Sequence, residues 1–223
     1  MKTLKESILS STKTGKAAVL IPKTKDELRE MIANEIEENG LNCDLNHIKT
    51  HKITDMSFLF ADSKFVGDIS KWDVSNVENM SHMFTYARFN GDISKWNVGK
   101  VEDMEGMFCR SDFNNDISKW NVSNVRDMNS MFWQSKFNRD ISKWNISNVK
   151  NMDSMFSCSK FNRDISNWDV SKVEEMREMF YDSEFNQDIS NWKINPKCET
   201  GYMFGLSKIK EEYKPKQNGK IIK

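Results

Sequence analysis

The stretch Phe89-Asn90-Gly91-Asp92-Ile93-Ser94-Lys95-Trp96-Asn97-Val98, continued by residues 99–112, is one copy of a 24-residue unit that fills most of this 223-residue chain. The unit reads F-N-x-D-I-S-x-W-[DN]-V-S-N-V-x-x-M-x-x-M-F-x-x-S-x. Its tryptophan recurs at Trp72, Trp96, Trp120, Trp144, Trp168 and Trp192. A fixed period of this length is typical of arrays in which neighbouring units stack to bury a shared core.

Seven coils of this unit cover residues 41–208. Close copies begin at Phe65, Phe89, Phe113, Phe137 and Phe161, a sixth from Phe185 keeps its first half, and a degenerate copy begins at Leu41. Within a coil, Trp96 and Val98 are two apart and would share one side of an extended segment. Met104 and Met107 follow helical spacing. The spacing therefore predicts an α/β repeat, in which each coil is a short parallel strand plus a short helix.

Two polar columns recur as regularly as the apolar ones. They are Asn90, Asn114, Asn138, Asn162 and Asn186, and Asp68, Asp92, Asp116, Asp140, Asp164 and Asp188. A stacked asparagine column would satisfy backbone groups at the corners, and the aspartates would accept backbone N–H groups in turns. A row of calcium sites is the alternative, although calcium takes about six to eight oxygens and each coil supplies one acid in this column.

This unit resembles the repeat of the BspA-type leucine-rich-repeat surface proteins, which is also found in Mycoplasma lipoproteins of unknown function. The resemblance covers residues 41–208. It implies a right-handed, leucine-rich-repeat-like solenoid of seven coils, with roles in adhesion or recognition rather than catalysis. The family has no catalytic residues to carry over. Similar repeats are also found in uncharacterised phage and gut-bacterial proteins.

The sequence predicts three parts: an N-terminal cap of strand plus helix at 1–40, the seven-coil solenoid at 41–208, and a flexible basic tail at 209–223. Thr24 and Glu27 form a capping box that opens a helix, and Gly40 ends it. The apolar face of that helix comprises Leu28, Met31, Ile32 and Ile36. A strand over residues 17–21 is expected ahead of it.

Charge and hydropathy narrow the classes of partner. The net charge is zero and no strongly basic stripe is left in the coils, so we expect no nucleic-acid partner. No apolar run is long enough to span a bilayer. The chain as written opens without an apolar signal segment or a lipid-acceptor cysteine, which predicts a cytoplasmic protein, whereas the family resemblance points to a cell surface or a virion.

No catalytic, cofactor-binding or metal-binding residue is predicted. The four cysteines occupy unrelated positions in their coils, which fits a reducing compartment. Cys43, His47 and His51 have zinc-like spacing but are only three ligands of the four a structural site needs. The methionines favour core packing over a site for a soft metal ion. A hydrolase is disfavoured because no unique pair of carboxylates is present.

The candidate partner-binding residues flank the tryptophans or break their period. They are Lys71, Asp73, Lys95, Asn97, Lys119, Asn121, Lys143 and Asn145, together with Trp133. Exposed strand residues must be polar in any case, and Trp133 could pack over a neighbouring loop. We expect a non-catalytic module that binds a protein or glycan partner. The alternative is a structural component of a phage or cell-envelope assembly, with self-association through the unpaired end strands.

Overall fold

The computed structural model describes residues 20–223. Its regular elements are helix α1 (Lys25–Asn39), a 3-10 helix (Glu211–Tyr213) and strands β1 (Lys216–Gln217) and β2 (Lys220–Ile221). The two strands pair antiparallel. The rest of the described chain consists of turns, bends and isolated bridges.

The predicted fold class, a leucine-rich-repeat-like solenoid of strand-plus-helix coils, is wrong. Residues 41–208 contain neither an α-helix nor a regular strand. Where the helix was predicted, the N–H groups of Met107, Cys109 and Ser111 each donate to the carbonyl three residues back, which gives overlapping turns. Gly106 and Arg110 interrupt them with φ angles of 57° and 52°. A right-handed helix cannot contain such left-handed residues.

The same segment bonds to the next repeat. The N–H of Met104 donates to the carbonyl of Asp127 at 3.0 Å, and the N–H of Phe108 donates to that of Met131 at 2.9 Å. An isolated parallel bridge links Asp103 to Asp127. Hydrogen bonds therefore alternate between the segment's own turns and the following repeat, and the repeats stack in register at the 24-residue period.

Turns also replace the predicted strand. The N–H of Trp96 donates to the carbonyl of Ile93 at 3.1 Å, and that of Val101 donates to the carbonyl of Val98 at 3.0 Å. Trp96 and Val98 are both buried, as predicted, but tight turns bring them to the same side. The indole Nε1–H of Trp96 donates to the carbonyl of Ile69 in the preceding repeat at 3.2 Å.

Every tryptophan of the period has this environment. The same indole-to-carbonyl bond spans 27 residues at Trp72, Trp96, Trp120, Trp144, Trp168 and Trp192, and all six side chains are buried. The prediction that this column is internal is confirmed. Each bond joins neighbouring repeats, so these residues stabilise the stack through both burial and hydrogen bonding.

Stacked aromatic rings form the centre of the core. Phe84 and Phe108 have ring centroids 5.6 Å apart and nearly parallel planes, and Phe108 repeats this with Phe132 at 5.7 Å. Met104 and Met107 are fully buried in the same core, and the other methionines of residues 20–223 are also buried, which confirms the predicted core packing for the described part of the chain. Each buried phenylalanine contributes about 1.5–3 kcal/mol to stability by removal of apolar surface from water.

Helix α1 covers the N-terminal end of the stack. The side chain of Thr24 accepts the N–H of Glu27 at 3.2 Å, and the N–H of Gly40 donates to the carbonyl of Ile36. The buried residues of the helix are Leu28, Met31 and Ile32, and Ile36 is partly buried against the core. The predicted helix, its Thr24 N-cap and its apolar face are confirmed, but the capping box is incomplete, because the Glu27 carboxylate accepts the N–H of Lys23 at 2.7 Å and not that of Thr24. No helix in residues 20–223 has the length and apolar character to cross a membrane.

The two ends of the chain carry the remaining sequence predictions. Most of the strand expected at 17–21 lies outside the described residues, although Leu20 forms an isolated parallel bridge with Ile48. At the other end, β1 and β2 lie against the last repeat, because Lys216 forms a parallel bridge with Lys193 and Ile222 is buried. The division of the chain at residues 40 and 208 stays a prediction.

Candidate functional site

The asparagine column joins consecutive repeats. The backbone N–H of Asn162 donates to Oδ1 of Asn138 at 3.1 Å, and that of Asn186 donates to Oδ1 of Asn162 at 3.0 Å. The same bond recurs at Asn114, Asn138 and Lys210. The prediction that these side chains satisfy corner backbone groups is confirmed, so this column is explained by the fold.

The aspartate column is engaged within each repeat. Oδ1 of Asp116 accepts the backbone N–H of Ser118 at 2.9 Å. That bond, followed by one from the serine side chain, lowers the pKa of Asp116, with smaller contributions from Lys119 and Arg139. All six columnar aspartates accept such a bond, which confirms the predicted turn role.

Neither metal hypothesis gains support from the geometry of residues 20–223, where no three His, Cys, Asp or Glu side chains lie close enough to hold an ion. The residues of the zinc hypothesis, Cys43, His47 and His51, are not gathered into such a group. Instead Nε2 of His47 lies 3.0 Å from Oε1 of Glu35 on α1. This contact ties the helix to the first repeat.

The predicted binding residues on either side of the tryptophans, which we call the lysine stripe, lie on the surface. All eight flanking residues are exposed: Lys71, Asp73, Lys95, Asn97, Lys119, Asn121, Lys143 and Asn145. Oδ1 of Asn121 accepts the N–H of Ser123 at 3.2 Å, and Asp73, Asn97 and Asn145 make the equivalent bond two residues on. The residues after each tryptophan thus have a turn-forming role that the sequence did not reveal. A binding role for the stripe stays a prediction.

Trp133 belongs to a separate cluster, which we call the Arg110 patch: Tyr86, Arg110, Trp133 and Gln134. The guanidinium carbon of Arg110 lies 5.1 Å from the ring centroid of Tyr86 and 4.9 Å from that of Trp133. Its Nη1 donates to the Tyr86 hydroxyl at 2.7 Å, and its Nε donates to Oε1 of Gln134. One cation is therefore held between two aromatic rings across three repeats.

Backbone geometry gives the patch its register. Tyr86, Arg110 and Gln134 occupy one column, 24 residues apart, and all have left-handed φ angles, at 55°, 52° and 51°. Tyr86 is 46 % exposed, Arg110 is exposed, and Trp133 and Gln134 are half-buried. Cation–π contacts of this kind contribute about 0.5–2 kcal/mol each, so the planar groups are held in place before any partner arrives.

The neighbouring thiol adds no reactive group. Burial raises the pKa of Cys109 to about 11, although the Arg110 charge opposes this. A thiol with that pKa is protonated at neutral pH, and the protonated form is a poor nucleophile. The Arg110 patch therefore offers aromatic surface, a cation, a hydroxyl and an amide, which are groups for recognition.

Sequence reasoning found one member of this patch and missed three. Trp133 stands out in the sequence because it breaks the tryptophan period, whereas Tyr86, Arg110 and Gln134 are not among the predicted binding residues. No hydrogen bond or ion pair of the described chain joins Trp133 to the lysine stripe, so the nine predicted residues do not form one site. The signal that could have found the patch is the 24-residue spacing of Tyr86, Arg110 and Gln134.

Comparison with known proteins identifies a family. The family model described as Mycoplasma protein of unknown function, DUF285, matches residues 26–136 and 109–214. No curated protein and no solved structure matches the chain.

Proposed function

The chain belongs to the family described as Mycoplasma protein of unknown function, DUF285, and we propose that it is a non-catalytic module that docks a partner protein on the Arg110 patch. Kinship with the BspA-type surface repeat is a finer proposal, which rests on the unit quoted at residues 89–112. The repeated columns support the docking proposal by exclusion, since stacking and turn hydrogen bonds already account for them.

The observation that carries the proposal is the arrangement of Arg110 between Tyr86 and Trp133. Tyrosine, tryptophan and arginine are the residue types that dominate binding energy in protein interfaces. Here they lie together where an otherwise copied unit varies. Their mutual contacts limit side-chain freedom, which lowers the entropic cost of docking.

A protein partner is favoured over a glycan by the state of the two rings. Sugars recognise an aromatic residue through an open ring face, and the guanidinium of Arg110 lies over one face of each ring, which reduces the ring surface open to a sugar. Ring edges, the tyrosine hydroxyl and the outer guanidinium N–H groups remain for a partner. Those groups suit carbonyl, carboxylate and apolar side-chain contacts of a protein surface.

Quantitative capture from the native host tests the proposal. Immobilised wild type would be compared with the double variant Arg110→Ala/Trp133→Ala and with the stripe variant Lys95→Ser/Lys119→Ser/Lys143→Ser. We expect the patch variant to lose the captured protein and the stripe variant to retain it. Equal recovery by wild type and the patch variant, with both shown to be folded by their unfolding curves, would overturn the proposal.

A further inference from the structure

The C-terminal end of the stack presents a row of unpaired backbone donors. In the preceding repeat the equivalent N–H groups all donate to the last repeat: Glu178 to Gly201 at 3.0 Å, Phe180 to Met203 at 2.9 Å and Asp182 to Gly205 at 2.8 Å. One repeat later, the N–H groups of Tyr202, Phe204 and Leu206 have no acceptor among residues 20–223. The edge over 202–206 thus has free N–H donors on the side where a further repeat would stack.

The backbone conformation of this edge suits an electronegative partner. Tyr202 and Leu206 have left-handed φ angles of 55° and 56°. Glu178 and Asp182, the equivalent residues one repeat earlier, have the same conformation, with φ of 55° and 48°, and their N–H groups donate to carbonyl oxygens of the next repeat. The N–H groups of Tyr202 and Leu206 therefore have the conformation that pairs with carbonyl oxygens elsewhere in the stack. An unpaired edge of this kind can accept an added extended strand, whose carbonyls complete the missing hydrogen bonds.

Apolar surface accompanies the donors. Tyr202 is 75 % exposed and Leu206 is 73 % exposed, which makes them the most exposed large apolar side chains of the described residues. A shallow cleft of about 560 Å³ lies beside the edge and is lined by Tyr202, Ile221 and Ile222. Side chains that alternate along an extended segment could therefore contact Tyr202 on one side and the cleft on the other.

The charge of this end is positive. Residues 197–223 contain seven lysines and three glutamates, which gives a net charge of +4. Lys220 and Lys223 line the cleft itself. Exposed charges of one sign steer and retain ligands of the opposite sign, more strongly at low salt.

We propose that the edge at 202–206 and the adjoining cleft bind an extended, acidic segment of a partner protein by strand addition. Backbone carbonyls of the segment accept the N–H groups of Tyr202, Phe204 and Leu206, its apolar side chains cover Tyr202 and Leu206, and its carboxylates meet the cleft lysines. Leu206 shares the column of Arg110 but lies three repeats beyond Gln134. No residue of the Arg110 patch takes part, so the inference goes beyond the proposed function and is tested independently of it.

A second copy of this chain fits the edge less well. The carbonyl-bearing edge that would pair with it lies at the first repeat, and α1 covers that end. Leu28 and Met31 are buried there, and Lys25 Nζ lies 2.6 Å from Oδ2 of Asp55. The same Nζ lies 2.7 Å from Oγ of Ser57, so a helix about 10 Å across stands beside this edge and obstructs the approach of about 4.8 Å that strand pairing requires.

Fluorescence anisotropy with two labelled peptides tests the proposal, one short peptide alternating Val and Glu and the other alternating Val and Lys. We expect the Val/Glu peptide alone to bind, and Tyr202→Asp/Leu206→Asp to weaken it about tenfold or more. Both side chains are largely exposed, so the fold is unaffected. Phe58→Asp/Val66→Asp is the matched control, since it adds the same charge and both side chains are exposed, at 52 % and 51 %, in other repeats.

Amide hydrogen exchange provides the second measurement. We expect the amides of Tyr202, Phe204 and Leu206 to exchange rapidly in the free chain and slowly with the Val/Glu peptide. Equal affinity for the two peptides, no binding of either, or unchanged binding by the double variant would overturn the proposal. Dimerisation that is abolished by Tyr202→Asp/Leu206→Asp would assign the edge to a second copy, which also overturns it.

Discussion

The backbone N–H of Asn162 donates to the side-chain Oδ1 of Asn138, one repeat away, at 3.1 Å. This contact passes from repeat to repeat, because the N–H of Asn186 donates in turn to Asn162. It serves a backbone donor that no regular strand pairing satisfies. An amide side chain therefore replaces one of the hydrogen bonds that a β-sheet would supply.

The asparagine column predicts a specific stability cost. Asn138→Ala leaves the N–H of Asn162 without its acceptor in a half-buried position, and we expect the free energy of unfolding to fall by about 1–2 kcal/mol. Urea denaturation followed by tryptophan fluorescence measures it. Asn145→Ala is the control, since Asn145 is exposed and its Oδ1 accepts only from Ser147 at 3.2 Å in the same repeat. Equal losses in the two variants would contradict this role.

Replacing the half-buried carboxyl of Asp127 with an amide is predicted to stabilise the protein in a pH-dependent way. Burial raises the pKa of Asp127, helped by the charges of Asp103 and Glu105. The pKa of this carboxyl is about 3.9 in the unfolded chain and higher in the folded protein. Its contribution to stability is therefore fully present below about pH 3.9 and is lost as the pH rises through the folded-state pKa. We therefore expect Asp127→Asn, which keeps an acceptor for the N–H of Asn129, to stabilise the protein at pH 7.

The comparison for that prediction is Asp116→Asn, which is expected to change stability at pH 7 in the opposite direction. Hydrogen bonds from Ser118 lower the pKa of Asp116, so its contribution is present above the unfolded pKa and is lost as pH falls through the folded value. We expect this variant to lose stability at pH 7. Urea curves at pH 7 and pH 3 measure both, and the Asp127→Asn gain must shrink at pH 3. A gain that persists there would refute the assignment to charge burial.

Left-handed residues predict a third pair of variants. Ser130 has a φ angle of 53° and Gly106, one repeat before it, has 57°. A residue with a side chain pays about 1–2 kcal/mol to adopt this conformation. Glycine avoids that cost, but it makes the unfolded chain more flexible, which offsets part of the gain in stability. We expect Ser130→Gly to stabilise by about 0.5 kcal/mol and Gly106→Ala to destabilise by about 1 kcal/mol.

Thermal unfolding of these two variants provides the measurement. Ser123→Gly is the comparison, because Ser123 has no positive φ angle and glycine there should lower the unfolding temperature. If Ser130→Gly lowered that temperature as much as Ser123→Gly does, the turns of the repeat would not need left-handed residues at this column.

Some of this architecture was predictable from sequence because burial and capping depend on residue type at a fixed period. The tryptophan column, the asparagine caps and helix α1 follow from side-chain chemistry alone. The secondary structure was not predictable from the sequence, because Met104 and Met107 have the same spacing in overlapping turns as in a helix. Left-handed residues such as Glu178, with φ of 55°, have no sequence signature when they are not glycine.

Only part of the candidate site was predictable, because the sequence shows the residue that departs from the repeat but not its contacts with other repeats. Trp133 is visible in sequence because it departs from the repeated unit. Its contact with Arg110 crosses from one repeat to the next, and sequence distance does not reveal such contacts unless columns are compared. The turns that replaced the predicted helix also set the register that brings Tyr86, Arg110 and Gln134 side by side.

Seven indole N–H groups are present in this chain, and Trp133 is the one whose indole donates to no acceptor among the described residues. An amide-region NMR titration with the captured partner therefore tests the central claim most directly. We predict that the Trp133 indole signal shifts as the partner is added, while the six indoles that donate to buried carbonyls stay in place. A Trp133 signal that does not move at saturation would contradict docking on the Arg110 patch.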